Sequence, residues 1–202
     1  MARRRDTGTA LVTGASAGLG AGFARALAAD GHDLILTARR GDRLNALAAE
    51  LRAAHGIRVE VIAADLARPG AAEALIAEIG KRGLAVNTLV NNAGFGALGP
   101  VAEADPAVLE RMLDLNCRAV MTLSRLVLPG MIQMRRGAIL NIASTAAFAP
   151  GPGMAVYYAS KAFVLSFSQA LHSEVRRHRV TVAALCPGPT ITEFGDVAGN
   201  GA

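Results

Sequence analysis

The sequence has 202 residues, enough for a single domain with a sizeable core, and its hydrophobic fraction of 52% argues against a disordered chain. A net charge of +5 would suit nucleic acid, but two tyrosines and no tryptophan offer little aromatic surface, so an anionic small ligand explains the charge better. No apolar run is long enough to span a bilayer, and neither the two cysteines nor the four histidines have metal-ligand spacing. We therefore expect a cytoplasmic protein with no metal, no membrane anchor and no nucleic-acid partner.

Short apolar runs alternate with amphipathic segments along the chain. The predicted strands are Thr9–Thr13, Asp33–Thr37, Arg58–Ala64, Thr88–Val90, Ala138–Ile142 and Val180–Leu185. The predicted helices are Leu19–Asp30, the segment from Asp42 to Gly56, Ala71–Lys81, Asp105–Met134 and Val156–His178. Because helices separate the strands and the central strands are continuous apolar runs, we predict a doubly wound α/β fold, with a parallel sheet covered on both faces.

Local signals set some of the helix boundaries. Asp42 is placed to cap the second helix, and Gly56 to end it. Asp105 is placed to cap the fourth helix, with Pro106 at its first helical position. Pro129, inside that helix, lacks a backbone N–H and predicts a kink.

A glycine-rich turn joins the first strand to the first helix. Its spacing is Gly-x-x-x-Gly-x-Gly, from Gly14 to Gly20. Glycines in such a turn let the backbone approach a pyrophosphate, whose charge is stabilised by the N-terminus of the following helix. The residues predicted to bind it are Gly14, Ser16, Ala17, Gly18, Leu19 and Gly20. A simple tight turn between strand and helix is the alternative, and the position at the start of the domain makes it the weaker one.

The end of the second strand predicts which dinucleotide binds. An acidic residue there would bind the ribose hydroxyls of NAD(H), whereas an arginine accommodates the 2′-phosphate of NADP(H). Here Ala38 occupies the strand end, and Arg39 and Arg40 follow it. NADP(H) is therefore favoured over NAD(H), with Arg39 as the phosphate ligand. A basic surface at the start of the next helix remains a reasonable explanation for one of the two arginines.

Tyr157 and Lys161 lie four residues apart on a predicted helix, and so on one face of it. A cation beside a phenol favours the phenolate and lowers its pKa, which makes the phenol a better acid near neutral pH. By itself this spacing also fits a buried tyrosine and a lysine that extends its ammonium to solvent. The rest of the sequence decides between the two interpretations.

The ordered set of motifs resembles the short-chain dehydrogenase/reductase family, from Thr9 to about Phe194. Ser144 lies thirteen residues before Tyr157, as the family pattern requires. The motifs are Thr13–Gly20, Asn91-Asn92-Ala93-Gly94, Asn116, Ser144, Tyr157-x-x-x-Lys161 and Pro187-Gly188. The resemblance implies a Rossmann fold and one dinucleotide-binding catalytic domain over residues 1–202.

The resemblance also implies four catalytic roles. Tyr157 would be the general acid that protonates a carbonyl oxygen, and the base in the reverse direction. Lys161 would hold the nicotinamide ribose and lower the pKa of Tyr157. Ser144 would donate a hydrogen bond to the substrate oxygen. Asn116 would hold a water that connects Lys161 to solvent.

The remaining cofactor contacts follow the later strands. After the third strand, Asp65 and Leu66 would contact the adenine. The ribose side would be lined by Asn92, Ala93 and Gly94, and the nicotinamide would be enclosed by Pro187, Gly188, Thr190 and Thr192. Ordinary structural roles exist for several of these residues, such as a turn hydroxyl for Ser144 or a helix-start acid for Asp65, but their joint occurrence favours the site.

Two loops beside the expected catalytic residues predict the substrate class. Phe95–Val101 and Thr145–Val156 contain no charged residue, so we expect a small, neutral carbonyl compound or its alcohol. The fourth and last predicted helices are apolar on more faces than one sheet can cover, and the resemblance implies that they pair in a homodimer. The family pattern continues beyond the sixth strand, whereas this sequence ends at Ala202. The alternative is therefore a dinucleotide-binding protein without turnover.

Overall fold

The computed structural model describes residues 7–189, and they form one parallel sheet between two layers of helices. Within these residues the sheet has six strands, in the order β3-β2-β1-β4-β5-β6. The strands are β1 (Thr9–Thr13), β2 (Asp33–Thr37), β3 (Val59–Val61), β4 (Thr88–Asn91), β5 (Gly137–Ile142) and β6 (Val180–Leu185). The α-helices are α1 (Gly18–Ala29), α2 (Gly41–His55), α3 (Ala71–Lys81), α4 (Pro106–Leu113), α5 (Val120–Met134) and α6 (Ala155–Val175). The predicted doubly wound fold is confirmed.

Alternate residues of the central strands point into two separate cores. Leu11 of β1 belongs to a cluster that includes buried residues of α3, α5 and α6. Its neighbour Val12 belongs to a second cluster, which includes buried residues of α1 and α2. Both faces of the sheet are therefore apolar, which explains why these strands read as continuous hydrophobic runs in the sequence.

The strand order reverses between β1 and β4, and this places the candidate site. The chain runs outward from β1 to β2 and β3, then returns to build β4, β5 and β6 on the other side. In a parallel sheet all the carboxyl ends lie at one edge, and the loops diverge at the reversal to leave a crevice. Thr13 pairs with Thr37 in register at the end of β1, and Asn91 pairs with Asn141 at the end of β4.

Helix boundaries agree with the sequence signals at several positions and differ at one. The Asp105 side chain accepts a hydrogen bond from the Ala107 N–H, as a cap should, and Gly56 ends α2 in the left-handed conformation (φ 62°). The prediction that Asp42 caps α2 was wrong. The N-cap is Arg40, two residues earlier, whose carbonyl accepts a hydrogen bond from the Leu44 N–H at 3.2 Å, and Asp42 lies in the first turn of the helix.

The third strand and the predicted long helix differ from expectation. β3 is shorter than the predicted Arg58–Ala64, although the N–H groups of Ile62 and Ala64 still bond to carbonyls at the end of β2 and just beyond it. The helix predicted from Asp105 to Met134 contains a π-helical segment, Asp114–Ala119, which joins α4 to α5. Hydrophobic periodicity does not reveal such a one-turn widening, which is frequent at functional sites.

Candidate functional site

A cavity of about 500 Å³ lies at the carboxyl edge of the sheet. It is lined by segments that follow each of the six strands, and it brings together most of the predicted site residues. These are Gly14, Ser16, Ala17, Gly18, Leu19, Arg39, Asp65, Leu66, Asn92, Ala93, Gly94, Ser144, Tyr157, Lys161, Pro187 and Gly188. Gly20 and Asn116 do not line the cavity, and Thr190 and Thr192 lie outside the described residues.

The glycine-rich turn packs closely against the start of α1. Gly14 has a φ of 65°, which favours glycine. A Cβ built on Gly20 would lie 2.2 Å from the Gly14 carbonyl oxygen, so only glycine lets the helix approach the turn. The side-chain amide of Asn92 also donates to the carbonyls of Thr13 (3.0 Å) and Gly14 (3.3 Å). Gly20 therefore supports the conformation of the turn without lining the cavity.

Thr13 joins the ends of β1 and β4. Its hydroxyl oxygen accepts hydrogen bonds from the N–H groups of Asn92 (2.9 Å) and Ala93 (3.0 Å). The same hydroxyl donates to the Val90 carbonyl at 3.3 Å. This fixes the Asn92-Ala93-Gly94 segment at the crevice where the strand order reverses.

The two arginines after β2 both line the cavity, and one contacts the glycine-rich turn. Nε and Nη2 of Arg40 donate to the Ser16 hydroxyl oxygen at 3.3 and 3.2 Å. The sequence singled out Arg39, whereas the structure adds Arg40 to the same end of the cavity. Two guanidinium groups beside the glycine-rich turn make this end of the cavity electropositive and suited to a phosphate group.

Lys161 is buried at the centre of the site. Its side chain is 6% exposed, and its ammonium donates to the Ile142 carbonyl at 2.8 Å. Burial lowers the pKa of Lys161 to about 8, against the opposing effects of Cys117 and Cys186. Its Nζ lies 5.8 Å from the centre of the Tyr157 ring.

The tyrosine hydroxyl shares a hydrogen bond with a serine. Burial raises the pKa of Tyr157, the hydrogen bond with Ser144 lowers it, and Tyr158 raises it further. The expected lowering of the Tyr157 pKa by Lys161 stays a prediction, because Lys161 is not among the causes of this shift. The pKa of Tyr157 is raised overall, because burial has the largest of these effects.

Ser144 lies two residues after the end of β5 and is the N-cap of a short 3₁₀ turn, Thr145–Phe148. Its hydroxyl oxygen accepts a hydrogen bond from the Ala146 N–H at 3.1 Å, which orients the side chain. Together with Tyr157 it places two hydroxyl groups in the cavity wall, close enough to contact one oxygen atom of a ligand.

Asn116 lies in the π-helical segment, 1% exposed, behind the cavity. Its amide nitrogen donates to the Phe95 carbonyl (2.9 Å) and the Ser160 hydroxyl (3.0 Å), and its oxygen accepts from the Phe95 N–H (3.1 Å). A Cβ on Gly94 would lie 3.0 Å from that oxygen. Asn116 therefore holds the loop after β4 in place, and the expected water contact stays a prediction.

Among the residues of the cavity wall that the sequence did not predict are Arg111 and Tyr158. Nη2 of Arg111 lies 3.4 Å from a carboxylate oxygen of Asp65, so the pair links α4 to the loop after β3. Arg111 is one helical turn before Leu115, which also lines the cavity, and that spacing was the signal available. Tyr158 was not predicted because the spacing to Lys161 directed attention to the adjacent Tyr157.

Neither a metal centre nor a membrane span is found in residues 7–189. No group of three or more potential metal-ligating side chains occurs there. None of the helices in that range is both long and apolar enough to cross a bilayer.

Comparison with known proteins identifies relatives of the whole described fold. The family model for short chain dehydrogenases matches residues 8–200. A short-chain dehydrogenase from Sphingobium yanoikuyae, solved in complex with NADPH, is 42% identical, with a TM-score of 0.90, over 95% of this chain and 75% of that one. A bulky-bulky ketone specific alcohol dehydrogenase from Comamonas testosteroni is 35% identical, with a TM-score of 0.87, over 92% of this chain and 74% of that one.

Curated relatives include reductases of several substrates. The very-long-chain 3-oxoacyl-CoA reductase of Anas platyrhynchos is 35% identical over 94% of this chain. The NADP-dependent 3-hydroxy acid dehydrogenase YdfG of Salmonella typhi is 39% identical over 95% of this chain and 76% of its own length. The chain spans 62% of the Anas reductase and 52% of a second one, from Phaeosphaeria nodorum.

Proposed function

Since this chain belongs to the short-chain dehydrogenase/reductase family, we propose that it is an NADP(H)-dependent oxidoreductase that interconverts a neutral carbonyl compound and its alcohol. The observation that carries the proposal is the hydrogen-bonded pair of Ser144 and Tyr157 in the wall of the cavity. Tyr157 lies one helical turn before the buried Lys161. Residues 1–202 would act as one catalytic domain, paired in a homodimer.

The cavity fits NADP(H) at its phosphate-binding end. The close contact of Gly20 with the Gly14 carbonyl leaves a cradle in front of α1 that any side chain at position 20 would disturb. Ala38 takes the position where an acidic residue would select NAD(H), and Arg39 and Arg40 follow it in the cavity wall. The Sphingobium relative, solved with NADPH, and the NADP-dependent Salmonella relative support this choice. The bound cofactor would supply or accept the hydride.

The protein's own groups would manage the proton and the developing negative charge. In carbonyl reduction the Tyr157 hydroxyl would donate its proton to the substrate oxygen, and the Ser144 hydroxyl would donate a hydrogen bond to the same atom. A tyrosine of ordinary pKa, about 10, keeps its proton at neutral pH, and burial raises the pKa of Tyr157 further, so the proton that a general acid donates is present. The ammonium of Lys161 would hold the ribose and favour proton release from the same tyrosine.

The substrate side of the cavity favours an uncharged ligand. Phe95, Met154 and Tyr158 line it beside Tyr157, and neither Phe95–Val101 nor Thr145–Val156 contains a charged residue. A carboxylate buried there would lack a partner at a large cost in free energy. The ketone specificity in the name of the Comamonas relative supports this class, whereas the name of the Salmonella relative refers to a hydroxy acid.

The test is NADPH oxidation by the purified protein with a panel of ketones, aldehydes and a keto acid. We expect turnover of a neutral aryl ketone with a kcat/KM above that of the matched keto acid. A clear preference for the keto acid would contradict the substrate class. Absence of turnover with the whole panel, in protein that still binds NADPH, would contradict the activity itself.

A further inference from the structure

Gly151 and Tyr158 are in unusually close contact. A Cβ built on Gly151 would lie 2.3 to 2.4 Å from three carbon atoms of the Tyr158 ring, far inside van der Waals distance. The backbone of Gly151 lies outside the left-handed region, so its conformation does not require glycine. Glycine is therefore required at position 151 because the Tyr158 ring occupies the space that a side chain would fill.

The contact fixes the tyrosine ring within the cavity wall. On another side, Tyr158 meets the Tyr157 ring edge to face, with ring centres 6.1 Å apart and an interplanar angle of 79°. Backbone hydrogen bonds of 3.0 Å link the Met154 N–H to Gly151 and the Tyr158 N–H to Met154. The ring thus has neighbours that restrict its rotation, and it still lines the cavity.

Nothing in the proposed acid–base chemistry uses this second tyrosine. Its position beside Tyr157 is where a substituent of the reacting carbon would lie. Phe95 and Met154, which line the same cavity and pack against the same buried cluster, are apolar. Resting on the proposed function, we propose that Tyr158 determines substrate specificity, as a wall against which a planar or bulky apolar substituent of the carbonyl compound packs. Gly151 sets the position of that wall.

The physical basis is the aromatic surface of the ring. A flat apolar group gains contact area and a favourable ring geometry against a tyrosine that is already held in place, whereas a small alkyl group gains little. The expected consequence is a preference for aryl over small ketones of about 10-fold that depends on the ring. A substitution that displaces the ring into the cavity should reduce the preference for aryl ketones, as should a substitution that removes the ring.

The experiment is a double-mutant cycle with acetophenone and 2-butanone as probes. The variants are Gly151→Ala, Tyr158→Ala, their combination, Tyr158→Phe, and the matched control Gly80→Ala in α3, whose added methyl would meet no described residue within 4 Å. For each, the ratio of kcat/KM for acetophenone to that for 2-butanone is measured with NADPH. Dissociation constants of both ketones with the protein–NADPH complex are measured by calorimetry.

We expect the ratio to fall about 10-fold in Tyr158→Ala and in Gly151→Ala, and to be retained in Tyr158→Phe and Gly80→Ala. In the Tyr158→Ala background, Gly151→Ala should have no further effect, because it acts through the ring. An unchanged ratio in Tyr158→Ala, or additive effects in the double variant, would overturn the inference. If the unmutated protein binds both ketones without turnover, the proposed function fails, and the ratio of dissociation constants still decides the role of Tyr158.

Discussion

Asn91 of β4 and Asn141 of β5 lie opposite each other in the buried sheet, and the amide nitrogen of Asn91 donates to the side-chain oxygen of Asn141 at 2.9 Å. The same nitrogen reaches Ser124 of α5 at 3.2 Å, and the Asn141 nitrogen donates to Ser168 of α6 at 2.9 Å. This network connects two neighbouring strands to the two helices that pack over them, directly beneath the candidate site.

Removing the centre of this network should destabilise the fold. Asn141→Ala leaves the Asn91 nitrogen and the Ser168 hydroxyl each without one buried partner. We expect the free energy of unfolding to fall by roughly 2–4 kcal/mol, measured by denaturant titration. The exposed residue Asn45 provides the control, because Asn45→Ala should stay within about 0.5 kcal/mol of the unmutated protein. Equal effects of the two substitutions would show that the network does not contribute to stability.

Tyr157→Phe removes the proposed transferable proton and almost no volume. We expect kcat to fall at least about 100-fold, with the dissociation constant of NADPH nearly unchanged. Steady-state kinetics and a fluorescence titration with NADPH measure the two quantities. The loss should be at least about ten times larger than in Tyr158→Phe. A larger loss of kcat in Tyr158→Phe than in Tyr157→Phe would show that Tyr157 is not the general acid.

Arg39→Asp should weaken NADPH binding and spare NADH binding. A bidentate contact between arginine and phosphate contributes on the order of 1.5–3 kcal/mol, so the NADPH dissociation constant should rise about 10- to 150-fold. Calorimetric titration of both cofactors measures the ratio. Arg177→Asp makes the same charge change outside the cavity and should not alter it. Equal affinities for NADPH and NADH in the unmutated protein would contradict the prediction.

The buried lysine should make stability rise with pH. Burial lowers the pKa of Lys161 to about 8 in the folded state, whereas in the unfolded chain it is close to 10.4. Between these values the unfolded state binds more protons, so the free energy of unfolding increases with pH. Lys161→Met lacks this contribution. From pH 7.5 to 9.5, the unmutated protein should gain roughly 1–2 kcal/mol relative to the variant, by denaturant titration at each pH.

The same measurement separates this effect from the other buried groups. Burial raises the pKa of Cys117 to about 11, which gives a contribution of the opposite sign as pH rises through 9. Because the ammonium of Lys161 lowers the pKa of Cys117, the Lys161→Met substitution changes this contribution as well, so both proteins are compared with Cys117→Ala in place. Parallel stability profiles for the two proteins would show that Lys161 does not titrate in this range.

Exposed apolar residues on the outer helices predict a homodimer. The residues concerned are 39–45% exposed: Leu113 on α4, Met121 on α5 and Phe163 on α6. Light scattering at micromolar concentration should give the mass of two chains. Phe163→Asp should shift the protein to a monomer, while Met134→Asp, at the exposed end of α5, should not. A monomeric unmutated protein would contradict the prediction.

The sequence by itself determined the order of elements and the local motifs. The glycine-rich turn, Arg39 after β2 and the Tyr157–Lys161 pair could be recognised because each depends on neighbours within a few residues. Leu44, Leu47, Ala48 and Leu51 recur at helical spacing, and all four are buried on one face of α2. Only short-range geometry is needed for such inferences, and they located most of the cavity wall.

Only the tertiary structure shows which of these residues contact one another and how their surroundings shift their pKa values. The bond between Ser144 and Tyr157 depends on β5 and α6 lying side by side, and the close contact of Gly151 with Tyr158 depends on the fold of an irregular loop. The raising of the Tyr157 pKa by burial could not be read from the sequence. Desolvation depends on everything packed around a group, including residues distant along the chain, and a local motif cannot report it.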